Sequence, residues 1–272
     1  MNEIVLTVVI LAVLGVLAGV LLSIISIIMA VKKDETAEKI EEILPGANCG
    51  SCGFSGCSGY ALALSKGDTS QTNLCSPGGA ETAQKISEIL GVSGSEFVRK
   101  TAMVRCKGSW DKTQMMMEYK GIESCYASNQ LYQGLGACSY GCIGFGDCKA
   151  VCEHDAIIVE NGVARVDSSK CGACGQCVKA CPKGLIELIP AADEDRAVLC
   201  SNRDKGGKTR KVCSVGCIGC MKCQKACEYD AIKVENFLAR VDYDKCVGCG
   251  KCESVCPSQC ISSFTLPACI TE

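Results

Sequence analysis

Histidine is all but missing from this chain, with one residue in 272. Tryptophan also occurs once, and aromatic residues make up only 5% of the sequence. So few rings rule out a large aromatic core, so something besides bulk apolar burial must hold the chain together. An excess of charge of either sign is absent too. The 28 basic residues against 30 acidic ones, a net charge of −2, give no support to a nucleic-acid partner, which usually asks for a basic surface. There is no nucleophile–base pair, no phosphate loop and no dinucleotide fingerprint behind a strand. The abundant residue is cysteine. Its 26 copies far exceed ordinary usage and leave three classes: a disulfide scaffold, a zinc protein or an iron–sulfur protein.

Compartment separates the first class from the others. From Ile4 to Val31 the sequence is uncharged and almost wholly apolar, broken only by Thr7, Ser23, Ser26, Gly15 and Gly19. At about 1.5 Å per residue such a helix spans the roughly 30 Å hydrocarbon core of a bilayer. A Met-Asn-Glu start and so long an apolar run do not resemble a secretory signal. Lys32 and Lys33 follow the run, and positive charge on that flank places the rest of the chain on the cytoplasmic side. All the cysteines then lie in a reducing compartment, which excludes disulfides. With no ionisable residue inside, the helix reads as a single-pass anchor in the cytoplasmic membrane and not as an ion path. Gly15 and Gly19 form a small-xxx-small pair suited to a neighbouring helix.

A charged helix is expected from about Asp34 to Leu44, with Ile40, Ile43 and Leu44 on one face, stopped by Pro45-Gly46. Cys49, Cys52 and Cys57 follow in a Gly- and Ser-rich loop, and Cys75 stands further on. Three closely spaced thiols can curl around one inorganic centre that a distant fourth completes. Residues 80–104 return to helical spacing, with Ile86, Ile89, Leu90, Phe97 and Val98 as core contacts.

The remainder contains a duplication offset by 75 residues. Cys138-Ser-Tyr-Gly-Cys142-Ile-Gly matches Cys213-Ser-Val-Gly-Cys217-Ile-Gly, and Cys152-Glu-His-Asp-Ala-Ile matches Cys227-Glu-Tyr-Asp-Ala-Ile. In the second copy, Cys217, Cys220, Cys223 and Cys227 form one run. Cys246, Cys249, Cys252 and Cys256, the last followed by Pro257, form another. Two such runs are the bacterial two-cluster ferredoxin pattern, in which the fourth Cys of each run ligates the other run's cluster. Cys217, Cys220 and Cys223 therefore pair with Cys256, and Cys246, Cys249 and Cys252 with Cys227. Short β-strands are expected at 231–234 and 239–241.

In the first copy the run Cys171, Cys174, Cys177 and Cys181 is regular, and it takes Cys152 as partner. The other run has Phe145 where its repeat has Cys220. Cys138, four residues upstream of Cys142, supplies the missing corner in the set Cys138, Cys142, Cys148 and Cys181; the alternative is a three-iron cluster. Zinc ribbons usually present two separated Cys pairs, often with His. Three close cysteines followed by Cys-Pro fit cubane clusters better.

An apolar anchor, the Cys49-Gly-Ser-Cys52-Gly-Phe-Ser-Gly-Cys57 loop with Cys75, the preceding Ile40-Glu-Glu-Ile-Leu-Pro45-Gly46 segment and two ferredoxin units together resemble the B subunits of Rnf complexes. The resemblance covers essentially the whole chain and fits the longer, two-unit form. It implies a component of a membrane oxidoreductase that passes electrons from reduced ferredoxin towards NAD while pumping sodium ions or protons. A soluble ferredoxin would be the donor, other subunits the acceptors, and flavin, nicotinamide and ion sites would belong to those subunits. The competing reading is a membrane-tethered polyferredoxin serving another oxidoreductase, which would not need the Cys49 module. A structural, non-redox cluster protein is a third class.

The expected architecture is α+β: an anchor (1–33), a four-Cys [4Fe-4S] module (34–104), a connection (105–137), a ferredoxin-like unit (138–190), a linker (191–212), a second unit (213–265) and a tail (266–272). The basic run Arg203 to Lys211 reads as part of that solvated linker, with docking of an acidic protein as the alternative. His154 reads as a surface residue, and Met115 to Met117 as filling an interface gap. Six cysteines remain over: Cys106, Cys125, Cys200, Cys213, Cys260 and Cys269. They are small buried hydrophobes, or four of them, Cys106, Cys125, Cys200 and Cys213, hold a sixth cluster. Iron and labile sulfide per anaerobically purified chain decide the number: about twenty irons for five cubanes, about twenty-four for six, with zinc in place of iron overturning the reading.

Overall fold

The computed structural model describes residues 2–28, 34–94, 97–191 and 196–263. Helix α1 (Asn2–Ile28) carries a mean hydropathy of 3.0 over Val5–Ile24 and buries none of that stretch within the chain. It is the one helix among the described residues long and apolar enough to cross a membrane. Ser23 turns its hydroxyl back onto the Gly19 carbonyl at 2.8 Å, so its polar atom is satisfied inside the helix. Lys32 and Lys33 lie outside the described residues.

Three helices form the next layer: α2 (Glu35–Ile43), α3 (Cys57–Lys66) and α4 (Gly79–Leu90). The Asp34 carboxylate caps α2, accepting from the Thr36 N–H at 3.0 Å and the Ala37 N–H at 3.4 Å. The helices meet around Ile40, Tyr60, Leu64 and Ile86, with Cys75 in the same cluster. Tyr60 is fully buried, and its hydroxyl donates to the Gln71 carbonyl at 2.7 Å and accepts from the Leu74 N–H, which ties down the segment leading into Cys75. The expected helical stretch to 104 ends early. Gly91 at φ 63° caps α4, and residues 100–104 form strand β1 (Lys100–Val104). Ile89 and Val98 are consequently exposed and do not join the core.

The rest is built twice. Hairpin β2–β3 (Ile157–Glu160, Val163–Val166) and hairpin β6–β7 (Ile232–Glu235, Leu238–Val241) share one register, Ile157 opposite Val166 and Ile232 opposite Val241. A second antiparallel pair accompanies each hairpin. β1 pairs with β4 (Ile186–Pro190), and β5 (Arg196–Val198) pairs with β8 (Ile261–Ser263). Val104 faces Ile186 as Val198 faces Ile261, so Cys106 and Cys200 occupy equivalent places just past the first strand of each pair. Each copy therefore begins before its first cysteine run. The stretch expected to be a solvated linker instead contains β5 and helix α8 (Gly206–Val212), with Thr209 and Cys200 buried. Met103 and Ile189 from one copy pack with Ala197, Leu199 and Tyr243 from the other. Glu187 accepts from buried Arg105 at 3.0 Å and lies 3.7 Å from Arg240 across that junction.

Both hairpins turn through two residues of positive φ, the geometry that suits a right-twisted two-residue loop. In the first the pair is Asn161 at 45° and Gly162 at 75°. In the second it is Asn236 at 49° and Phe237 at 62°, a left-handed conformation that a bulky residue adopts only under strain. Replacing Phe237 by Gly, the residue of the first copy, is predicted to stabilise the folded chain by about 1 kcal/mol, read as a higher midpoint in anaerobic urea unfolding.

Candidate metal centres

Each cysteine run is shaped by one local device. After the second ligand position the chain enters a left-handed residue, Gly146, Gly175, Met221 or Gly250, and then a short helix. These helices are α6 (Asp147–Ala150), α7 (Gln176–Ala180), α9 (Lys222–Ala226) and α10 (Lys251–Ser254). The third cysteine of each run, Cys148, Cys177, Cys223 or Cys252, falls in the first turn of its helix, pointing back towards the loop. The loops also press on the hairpins. A Cβ at Gly144 would stand 2.5 Å from the Gly162 carbonyl, and one at Gly219 2.8 Å from the Phe237 backbone, so only glycine fits.

Four of the five thiol sets drawn from spacing have their members brought near one another. Cys49, Cys52 and Cys57 surround Cys75, whose thiol is raised first by burial and then by their charges. Cys152, Cys171, Cys174 and Cys177 line one hollow with His154. Cys227, Cys246, Cys249 and Cys252 line the equivalent hollow, with Tyr229 in the place of His154. Cys217, Cys220 and Cys256 all act on Cys223, whose thiol burial pushes up to about 12.

The set built on Cys138 differs. The hollow lined by Cys142, Cys148 and Cys181 receives Cys125 as its fourth thiol. Burial comes first in raising Cys148 to about 12, followed by the charges of Cys142, Cys125 and Cys181. Cys125 opens helix α5 (Cys125–Asn129), and Asp147 of α6 holds that helix in place. Its carboxylate accepts from the Cys125 N–H at 2.8 Å, the Tyr126 N–H at 3.0 Å and the Ser124 hydroxyl at 2.9 Å. Burial alone would raise Asp147; these bonds outweigh it and hold the carboxyl below the usual range. The connection before the first unit thus brings the thiol that Phe145 displaced, and Phe145 itself packs against Tyr119 of that connection. Met115 and Met116 are exposed and fill no gap within the chain.

Cys138 lies instead with Cys106, Cys200 and Cys213 around a further hollow between the two copies. The leftover thiols thus line a hollow with Cys138 in the place expected for Cys125. Two thiols come from each copy at equivalent positions, and their surroundings match. The Cys142 N–H donates to Cys106 Sγ at 3.4 Å, as the Cys217 N–H donates to Cys200 Sγ at 3.3 Å. Burial is the main cause that lifts Cys106 to about 12 and Cys200 to about 11. Asn202 donates to Cys138 Sγ at 3.4 Å, and the Thr113 hydroxyl reaches Cys213 Sγ at 3.6 Å. Spacing could not show this grouping, yet one signal was available. The segment from Cys106 to Cys138 is far longer than that from Cys200 to Cys213, and the copy with the extra segment is the one that lacks a ligand in its run.

Cys260 is a fifth thiol at the Cys217 hollow, fully buried, with its Sγ 3.6 Å from that of Cys256. A hydrogen bond from it draws the Cys256 thiol down to about 5 and lowers Cys217 as well. Cys269 lies outside the described residues.

Among the described residues no three His, Cys, Asp or Glu side chains converge on one point as a single metal ion requires. The thiols stand around apolar hollows, a donor set that fits a multi-iron cube. Residues 211–263 match the family described as a 4Fe-4S dicluster domain, residues 164–187 a 4Fe-4S binding domain and residues 44–77 an Fe–S cluster family.

The B subunit of the Na(+)-translocating ferredoxin:NAD(+) oxidoreductase complex of Acetobacterium woodii is 42% identical over 85% of this chain and 69% of its own length. The B subunit of the proton-translocating ferredoxin:NAD(+) oxidoreductase complex of Clostridium ljungdahlii is 38% identical over 89% and 85%. The B subunit of the ion-translocating oxidoreductase complex of Methanosarcina acetivorans is 37% identical over 82% and 84%.

The chain belongs to the family of Rnf B subunits. It is an iron–sulfur electron-relay component with 4Fe-4S ferredoxin-like domains. Its apolar α1 suits a member of a membrane complex.

Double substitutions separate the two placements of Cys138. Cys138→Ala with Cys213→Ala is predicted to remove about four irons, because both thiols face one hollow. Cys125→Ala with Cys213→Ala removes about eight, because they face two. The reverse pattern would restore the pairing read from spacing.

Proposed function

We propose that this protein holds six [4Fe-4S] clusters and carries electrons from reduced ferredoxin through them towards NAD, within a complex that translocates Na+ or H+. The ligand sets are Cys49, Cys52, Cys57 and Cys75; Cys152, Cys171, Cys174 and Cys177; Cys125, Cys142, Cys148 and Cys181; Cys106, Cys138, Cys200 and Cys213; Cys217, Cys220, Cys223 and Cys256; and Cys227, Cys246, Cys249 and Cys252. When bound, the clusters supply one-electron chemistry at low potential; the chain spaces them, keeps water from them and sets their charge environment. The cysteine-rich part lies on the cytoplasmic side of the membrane, and the two ferredoxin-like units follow one another in tandem.

The contacts arrange the sets in a line. The Lys179 ammonium donates to the Cys49 carbonyl at 3.1 Å, and Cys49 adds to the charge acting on Cys174, so the Cys49 module abuts the Cys171 set. Cys177 in turn acts on Cys148. The Cys142 and Cys217 amides then reach the shared Cys106–Cys200 hollow from its two sides. The Cys217 and Cys246 sets complete the line, joined by the crossed ligands Cys227 and Cys256.

The observation that carries the direction of flow is exposure. Among the described cysteines only Cys220 and Cys249 are exposed, and both belong to the second unit. In the first unit the equivalent positions are Phe145, packed on Tyr119, and Cys174, beside the Cys49 module. Ferredoxin therefore docks at the second unit, where Met221, Tyr229, Phe237, Val247 and Val255 present exposed apolar surface around those thiols. Other members of the complex take electrons at the Cys49 end. The basic run at 203–211 is not that surface, since Lys208 is engaged with Asp204 at 3.0 Å and the run flanks the middle of the line.

Stopped-flow reduction by reduced ferredoxin tests the direction. Met221→Glu with Val247→Glu is predicted to slow it tenfold or more, corresponding to about 1.4 kcal/mol of lost docking. Ile122→Glu, on the exposed connection, leaves it unchanged. Equal rates in all three proteins, or clusters that ferredoxin fails to reduce under EPR, overturn the reading.

A further inference from the structure

Five thiols crowd the Cys217 hollow, where a cube needs four. Four of them come from the two runs, and Cys260 is the extra one. It is not a chance surface thiol. It is buried to 2% exposure immediately before β8, its Sγ lies 3.6 Å from that of Cys256, and it shares a core cluster with Cys217 and Cys223. The duplication supplies an internal reference. The equivalent residue of the first copy is Leu185, which packs against Cys181 and Cys148 in the same core position. The backbone around the two is alike: the Leu185 carbonyl accepts from the Arg105 N–H at 2.8 Å, and the Cys260 carbonyl accepts from the Leu199 N–H at 2.8 Å. A side chain of leucine size is thus what this place in the fold ordinarily holds. The second copy has put a metal-binding group there, four residues beyond the cysteine that closes the cluster.

We propose that Cys260 is a reserve ligand for this centre, able to fill the corner of Cys256 when that thiol is removed by substitution or is oxidised to its sulfenic acid by hydrogen peroxide, which is reduced to water. The inference rests on the cluster reading above, and the exchange is a short one, because the two sulfurs already lie 3.6 Å apart. The exchange of ligands is itself redox-neutral: the Cys260 thiol gives its proton to water as its thiolate takes the open corner beside it, 3.6 Å from the place of the Cys256 sulfur. The place for such a device is the exposed unit, where Cys220 and Cys249 meet solvent and ligand cysteines are most open to oxidative damage.

The test counts iron and records EPR spectra of the full-length protein purified anaerobically. Cys256→Ala is predicted to keep the wild-type iron content while the signal of one centre changes shape. Cys256→Ala with Cys260→Ala loses about four irons. Cys181→Ala, whose repeat position offers only Leu185, loses about four by itself, and Cys260→Leu loses none. If Cys256→Ala loses as much iron as the double variant, whether from an open corner or from a chain that no longer folds, the reserve role is refuted. Wild-type protein without iron would refute the cluster reading itself, which keeps the two failures apart.

Discussion

A thiol ligates metal only as its thiolate, and a thiolate taken out of water without a cation beside it is strongly disfavoured. In this chain burial holds Cys106, Cys148, Cys177, Cys200 and Cys223 well above the usual thiol range. With iron centres in the hollows they line, as proposed, protons there are exchanged for iron as the protein matures. The secondary structure answers to that requirement. Hairpins of four-residue strands, three- to five-residue strand pairs and single-turn helices bury too few large side chains to be stable alone. Each hollow is lined by thiols from at least two of them; on the proposed ligand sets, crossed fourth ligands join the two halves of a copy and the set between copies joins the copies.

Much of this was legible in the cysteine spacing, because a run of three thiols around one cube is a local pattern and leaves a fixed signature. The hairpin of the second copy was legible as well, as two short strands between its cysteine runs. What escaped was tertiary. Cys125 lies in the connection and Cys138 opens the first unit, with nothing local to say which hollow each faces; Asp147 grips the start of α5 and places Cys125. Strand β5 has only three residues and no period to read, so its stretch looked like solvated linker. The strand at 100–104 was hidden in the apparent helical spacing that runs on from α4, which Gly91 ends.

The two copies have diverged in opposite ways. The first has lost a ligand from its run, gained a long connection that replaces it, and covered its remaining centres with Tyr119 and the Cys49 module. The second keeps every run ligand, leaves two of them in solvent, tolerates a strained Phe237 at its hairpin tip and carries one thiol more than it needs. A covered copy with a borrowed ligand and an open copy with a surplus one suit the inner and outer ends of a relay.

The hollow between the copies also sets an order in time. Its four thiols come two from each copy, and Cys200 and Cys213 are synthesised long after Cys106 and Cys138. While the chain leaves the ribosome, amino end first, the earlier copy can close around its own centres, but this one stays half-built until most of the sequence has been translated. Iron delivered there too early finds two ligands. On the proposed ligand sets, a truncated or stalled chain can contain well-made centres and still have no continuous path for an electron.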